Sequence, residues 1–158
     1  MRSVLFAGVF SMATFAHVPY SFAAEAGYIT SGWAKASHPR AFKVHNNGVA
    51  YIQIENKTDM ADTIVEVRSP HARVTEIHEM GTGENGVPFM RKVKDMTLDA
   101  GETMHMAPGG VHLMLIDMDE PIAEGDTVTV TVSFEHAGDQ TVELKAYPFR
   151  SKGPEGTN

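Results

Sequence analysis

Residues 127–134 have the sequence TVTVTVSF, and this alternation decides the fold class. Val128, Val130, Val132 and Phe134 lie on one side of an extended chain, and the hydroxyl-bearing residues lie on the other. A strand with one apolar and one polar face is typical of antiparallel sheets that cover a core on one side only. The stretch therefore predicts an antiparallel β-protein.

Similar short alternating stretches recur along the chain, and no window shows apolar residues at helical spacing over three turns. Turn sequences such as NNG at 46–48 and PGG at 108–110 separate the stretches. We predict an all-β single domain, folded as a Greek-key β-sandwich or barrel. The predicted strands are 28–36, 49–55, 63–68, 73–79, 89–94, 102–106, 111–117, 127–135 and 141–147.

The composition excludes several function classes. The 158 residues are enough for one domain with a hydrophobic core. The formal net charge of −7 argues against binding to nucleic acid and against electrostatic docking on anionic lipid. The chain has no cysteine, which excludes thiolate zinc sites, blue copper, iron–sulfur clusters and thiol catalysis. Any transition metal must be held by histidine, methionine or carboxylates.

The first residues have the pattern of a secretory signal peptide, with a positive charge at Arg2, an apolar run and small residues before a cleavage site. We predict a signal peptide over 1–23, with cleavage as late as residue 26. The apolar run is far shorter than the ~20 residues that a spanning helix needs, so we expect no membrane span. We expect the domain over 27–150, a disordered polar tail over 151–158, and a periplasmic location.

Two histidines and two methionines have a spacing that indicates a metal site. His78 is followed after eleven residues by Met90, which is followed after twenty-one residues by His112 and, one residue further, by Met114. Soft sulfur ligands and imidazole select Cu(I). A thioether needs no deprotonation and forms no disulfide, so methionine suits a copper ligand outside the cytoplasm. We therefore predict a Cu(I) site at these four residues.

The alternation in 111–117 predicts how this site faces. Leu113 and Leu115 have one parity, and His112 and Met114 have the other. With the leucines in the core, His112 and Met114 lie side by side on the outer face, about 7 Å apart at their Cα atoms. We expect an exposed site at the sheet edge, where the ligands of an acceptor protein can reach the metal.

Other histidines and methionines lie near these four residues in the sequence. A hairpin of 102–106 with 111–117 would place His105 opposite His112 and would turn Met104 and Met106 into the core. His105 could then assist the site, the alternative being a solvated histidine. Met80 and Met96 are near the site in the sequence and are candidates for additional sulfur ligands, with surface or core packing as the alternative.

The spacing of His78, Met90, His112 and Met114 resembles the signature of the PCuAC family of periplasmic copper chaperones. The segment PGGVHLML at 108–115 is similar to the most recognisable segment of that family, and the resemblance covers about residues 28–147. It implies a cupredoxin-like fold, Cu(I) binding by these four residues, and delivery of copper during assembly of cytochrome c oxidase. The implied acceptors are the copper-centre subunit of that oxidase or a Sco-type protein.

The same resemblance implies that the protein is not an enzyme, and we expect a monomer. Some members of the family carry a C-terminal extension rich in histidine and methionine, but residues 151–158 contain neither, so no role with Cu(II) is expected. Two other functions stay open. One is a mononuclear copper oxidoreductase, which would keep an open coordination position and a substrate pocket. The other is an envelope β-sandwich domain whose histidines and methionines have no metal role.

Overall fold

The computed structural model describes residues 28–154, which form ten strands and one short helix. The prediction of an all-β domain is therefore confirmed. The elements are β1 (Ile29–Lys35), α1 (Pro39–His45), β2 (Gly48–Glu55), β3 (Asp62–Arg68), β4 (Val74–Thr82), β5 (Pro88–Lys92), β6 (Met96–Leu98), β7 (Thr103–His105), β8 (Val111–Ile116), β9 (Thr127–Phe134) and β10 (Gly138–Tyr147).

The described strands belong to a single curled sheet with the order β5-β4-β8-β2-β1-β10-β9-β3-β6, and β7 also pairs with β2. Neighbours are antiparallel except for β1 and β10, which run parallel with Ala34 beside Ala146. This parallel pair joins a half that contains β1, β2, β4, β5, β7 and β8 to a half that contains β3, β6, β9 and β10. The two halves share one core, as in a sandwich.

The core is apolar and draws on both halves of the sheet. Leu113 and Leu115 of β8 are fully buried, as are Val130 of β9 and Leu144 of β10. The alternation of residues 127–134 is confirmed, since their valines are buried while the threonines are exposed or half-buried. The placement of the two leucines of β8 fixes the opposite face of β8 for His112 and Met114.

Two elements were not predicted. Helix α1 has seven residues and buries none of them, so it leaves no apolar periodicity in the sequence. Local chemistry forms it instead, because the His38 side chain accepts a hydrogen bond from the Ala41 N–H and Pro39 occupies the first turn. Strand β6 has only three residues, which is too short for an alternation to be recognised.

The predicted hairpin of 102–106 with 111–117 is wrong. Strand β7 pairs with the end of β2, with His105 beside Gln53, and β8 pairs with the beginning of β2, with Leu113 beside Ala50. The chain between β7 and β8 bulges out at 107–110 and rejoins the same edge of β2. His105 therefore does not face His112 across a hairpin. The core placement of Met106 is confirmed, and Met104 packs against the core.

No helix within residues 28–154 is long and apolar enough to cross a membrane. The predicted signal peptide and the end of the predicted tail, residues 155–158, lie outside the described residues. Residues 151–154 form neither helix nor strand. The Ser151 hydroxyl and the backbone of Gly153 bond to each other there.

Candidate metal site

The strand register places the four predicted ligands on one face of the sheet. His78 of β4 lies directly beside His112 of β8, and Met114 lies one step along β8, beside Glu76. On the other side of β4, Met90 of β5 lies beside Met80. Cross-strand partners point to the same face, and so do residues two apart in one strand. His78, Met90, His112 and Met114 therefore share the face opposite the leucines of β8.

The four side chains differ in their access to solvent. His112 on the inner strand β8 is 4% exposed. The side chain of His78 is 16% exposed, Met114 is half-buried, and Met90 on the edge strand β5 is 54% exposed. The prediction that His112 lies exposed on the outer face is therefore wrong. The site has one buried and one partly buried imidazole, a half-buried thioether and an exposed thioether.

Glu76 holds the ring of His78. The Nε2 atom of His78 lies 2.9 Å from the Glu76 carboxylate, whose other oxygen accepts a hydrogen bond from Lys92 Nζ at 2.7 Å. The bond to His78 and then the bond from Lys92 hold the pKa of Glu76 below its usual range. The carboxylate is therefore an ionised acceptor, and Nε2 of His78 carries the proton. Its Nδ1 keeps a free lone pair.

That Nδ1 atom is buried and has no hydrogen-bond partner among the described residues. In native structures, nearly all buried polar atoms have a hydrogen-bond partner. An unpaired nitrogen atom beside other soft donors is therefore a candidate ligand-binding atom. A metal ion bound by Nδ1 would satisfy it.

The ring of His112 has the opposite tautomer. Its Nδ1 atom lies 3.0 Å from the carbonyl oxygen of Gly110, which can only accept a hydrogen bond, so Nδ1 carries the proton and Nε2 is free. The same carbonyl accepts a hydrogen bond from the backbone N–H of Met80 at 3.2 Å. Gly109 takes a φ of +88° in this turn, which glycine adopts without strain. The turn at 108–110 therefore directs the Gly110 carbonyl towards the His112 ring.

The two imidazoles lie close together, with their ring centroids 6.0 Å apart. The ring of Tyr51 lies on the other side of His112 at 6.5 Å, and Trp33 packs against Tyr51 at 4.5 Å. Burial raises the pKa of the Tyr51 phenol, so this neighbour stays uncharged. The imidazole pair therefore has a neutral aromatic wall on its inner side.

The two methionines border a shallow groove of about 410 Å³ between α1 and the sheet. Phe42 of α1, Val49 of β2 and Phe149 contribute to its apolar lining. Two of the four proposed ligands thus border an open groove on the protein surface.

Harder ligands are not gathered anywhere in residues 28–154, since no group of three or more His, Asp or Glu side chains there is placed to hold a metal. Two imidazole nitrogens and two thioethers match the preference of Cu(I).

Three participants were not recognised as such in the sequence: Glu76, Lys92 and the Gly110 carbonyl. The pattern Glu76-x-His78 within a strand puts the carboxylate beside the imidazole and could have indicated Glu76. The position of Lys92 depends on strand pairing. The direction of the Gly110 carbonyl depends on the shape of its loop. Of the two methionines considered as additional ligands, Met80 lies on the site face and Met96 packs in the other half of the sheet.

Comparisons with known proteins show the family of the chain and its fold. The LpqE-like family model matches residues 28–146. Lxx21020 of Leifsonia xyli subsp. xyli, named as a lipoprotein, is 27% identical over 124 residues, which are 77% of this chain and 69% of the relative.

Solved structures share the fold. The copper-bound PCuAC domain from PmoF2 matches with a TM-score of 0.61 at 22% identity, over 76% of this chain and 91% of that domain. The solution structure of CuI-DR1885 from Deinococcus radiodurans matches with a TM-score of 0.52 at 25% identity, over 80% of this chain and 78% of that one. The resemblance to PCuAC domains is thus confirmed, together with the predicted cupredoxin-like fold.

Proposed function

The chain belongs to the LpqE-like family, and from that premise we propose that it is a copper carrier of the cell envelope. It binds Cu(I) through His78, Met90, His112 and Met114. It holds copper as cargo and passes it on, and it is not an enzyme.

The observation that carries this proposal is the buried, unpaired Nδ1 atom of His78. It lies in the imidazole pair with His112, whose Nε2 is also left free by the bond from Nδ1 to Gly110. Both donors are neutral lone pairs held by neighbours that fix the tautomer, which is how metal-binding histidines are commonly oriented. The two thioethers on the same face complete a soft donor set. That copper-bound PCuAC structures have this fold supports the choice of metal.

The exposure of the four ligands supports stepwise exchange. A ligand of the acceptor can approach Met90 at the edge strand, whereas His112 is reached last. Cu(I) leaves the neutral donors of this chain one at a time and neither gains nor loses an electron. We propose that the acceptor is the copper-centre subunit of cytochrome c oxidase or a Sco-type protein, as the motif resemblance implies. The predicted signal peptide and the lipoprotein name of the relative support the envelope location.

The test is the copper stoichiometry of the mature protein under reducing conditions. We expect one Cu(I) per chain for the parent and loss of binding for the double variant His112→Ala, Met114→Ala. The matched control is His136→Ala, Met60→Ala, which removes the same residue types at exposed positions away from the site. Failure of the parent to retain Cu(I), or parent-like binding by the first double variant, would refute the proposal. Turnover with a reductant and oxygen would instead indicate an oxidoreductase.

A further inference from the structure

Met80 is a fifth soft donor on the face of the site. It lies directly beside Met90 in the ladder of β4 and β5, where the Cβ atoms of cross-strand partners are about 5 Å apart. It also follows His78 by two residues on the same strand, so all three side chains point the same way. The sulfur atoms of Met80 and Met90 can therefore approach one metal ion from neighbouring strands.

Packing does not account for this pair. Met80 is 40% exposed, and neither it nor Met90 belongs to the core or to the side chains packed against it. Met96, Met104 and Met106 do, which is the ordinary use of methionine in a protein of this kind. Two neighbouring thioethers are thus left in contact with solvent at the edge of the sheet.

Exposure falls in steps from this edge towards the imidazole pair. It is highest at Met90 on β5 and lower at Met80 on β4, and it falls further at His78 and at His112 on β8. The soft donors therefore form a continuous series from solvent to the buried nitrogen atoms. The backbone N–H of Met80 donates a hydrogen bond to the Gly110 carbonyl, which also orients His112. The backbone of Met80 is therefore attached directly to the four-residue site.

We propose that Met80 and Met90 form an exchange site for Cu(I), at which the metal is held while it enters or leaves the four-residue site. This inference rests on the proposed function. During loading, the two sulfurs bind the ion first, His78 Nδ1 then displaces Met80, and His112 and Met114 complete the four-residue site. During delivery, Met80 rebinds the ion as His78, His112 and Met114 release it, and the sulfur or nitrogen ligands of the acceptor then replace Met80 and Met90. Each donor of this chain is neutral, and the copper stays monovalent throughout.

The proposal is tested by comparing Met80→Leu with Met60→Leu. Leucine keeps an apolar side chain of similar volume and removes the sulfur, and Met60 is an exposed methionine in the loop after β2. Transfer of Cu(I) from each loaded protein to a chromogenic Cu(I) chelator is followed by stopped flow, and the equilibrium affinity is measured by competition. For Met80→Leu we expect transfer to slow about tenfold with little change in affinity. Met60→Leu should match the parent in both.

Methyl-labelled methionine NMR gives a direct readout of the same contact. In a His78→Ala variant, which lacks the nitrogen that displaces Met80, the Met80 methyl resonance should shift together with that of Met90 on titration with Cu(I), while that of Met60 stays in place. Parent-like transfer by Met80→Leu, an unmoved Met80 methyl, or equal slowing by Met60→Leu would each overturn the exchange site. If the parent binds no Cu(I), the proposed function itself fails, so the two failures are distinguishable.

Discussion

Glu76 shows how a single residue can decide the chemistry of the site. Its carboxylate accepts a hydrogen bond from the Nε2–H group of His78 and another from Lys92, so His78 keeps Nδ1 free. The Gly110 carbonyl accepts a hydrogen bond from Nδ1 of His112, so His112 keeps Nε2 free. Nδ1 is therefore free in one imidazole and Nε2 in the other, and in each ring one neighbouring oxygen atom decides which nitrogen carries the proton.

The first prediction concerns this neighbour. Glu76→Gln keeps the size of the side chain but offers an amide that can also donate to Nε2, which would leave Nδ1 protonated and unable to bind metal. We expect the Cu(I) affinity to fall at least about tenfold, as for other partners of metal-binding histidines. Competition with a Cu(I) chelator measures the affinity, and nitrogen NMR of the His78 ring reports the tautomer.

The matched control is Glu79→Gln on the same strand. Glu79 lies on the opposite face of β4 and pairs with Arg91. The Glu79→Gln variant should bind Cu(I) like the parent. An unchanged affinity in Glu76→Gln, with the His78 tautomer also unchanged, would show that Glu76 does not position the ring.

At the scale of elements, Asp62 ties the start of β3 to the turn between β9 and β10. Its carboxylate accepts hydrogen bonds from the backbone N–H groups of His136, Ala137 and Thr63. Burial alone would raise the pKa of Asp62, but these three donors outweigh it and hold the pKa below its usual range. The folded protein therefore favours the ionised carboxylate, and this preference stabilises the fold.

The second prediction follows from the sign of that shift. Because the folded pKa lies below the unfolded value of about 3.9, the stabilisation is complete above that value and is lost as pH falls through the folded pKa. Asp62→Asn should therefore lower the free energy of unfolding by about 2 kcal/mol at neutral pH, and the deficit should shrink below about pH 4. Urea unfolding at a series of pH values measures it.

The control is Asp59→Asn in the exposed loop before β3, which should cost little at any pH. A deficit for Asp62→Asn that stays constant between neutral pH and pH ~3 would mean that the carboxylate charge is not what stabilises the turn.

For the whole molecule, the parallel contact of β1 with β10 is where the two halves of the sheet meet. Gly32 of β1 allows the close approach. A Cβ atom at this position would lie 2.6 Å from the Leu144 side chain of β10 and 2.8 Å from the Tyr51 carbonyl of β2. The same strand carries Trp33, whose ring supports Tyr51 beside the imidazole pair. The junction of the two halves and the aromatic wall of the site thus depend on one strand.

The third prediction is that Gly32→Ala lowers the free energy of unfolding by about 2 kcal/mol, because the added methyl group meets backbone as well as side chain. Gly83→Ala is the control, since a Cβ atom there would have only the Val87 carbonyl, at 3.5 Å, within 4 Å. Urea unfolding of both variants at neutral pH gives the comparison. Parent-like stability of Gly32→Ala would show that the joint between the halves is looser than this spacing indicates.

The sequence by itself determined which residues can form strands and which face each of them presents. Alternation has a period of two residues and is a local property, so the buried valines of β9 and the inward leucines of β8 could be predicted from their own stretches. The types of the proposed ligands were also readable, because softness belongs to the side chain and the spacing resembled that of PCuAC domains.

Only the tertiary structure decided which strands pair and what surrounds each proposed ligand. Both β7 and β8 join β2, since pairing depends on which strand edges remain free in the assembled sheet, and this is a long-range property. Pairing also placed His112 beside His78 and Met80 beside Met90, and it brought Lys92 to Glu76. The tautomers of the two histidines were decided last, because each depends on one oxygen atom that the completed fold puts within hydrogen-bond distance.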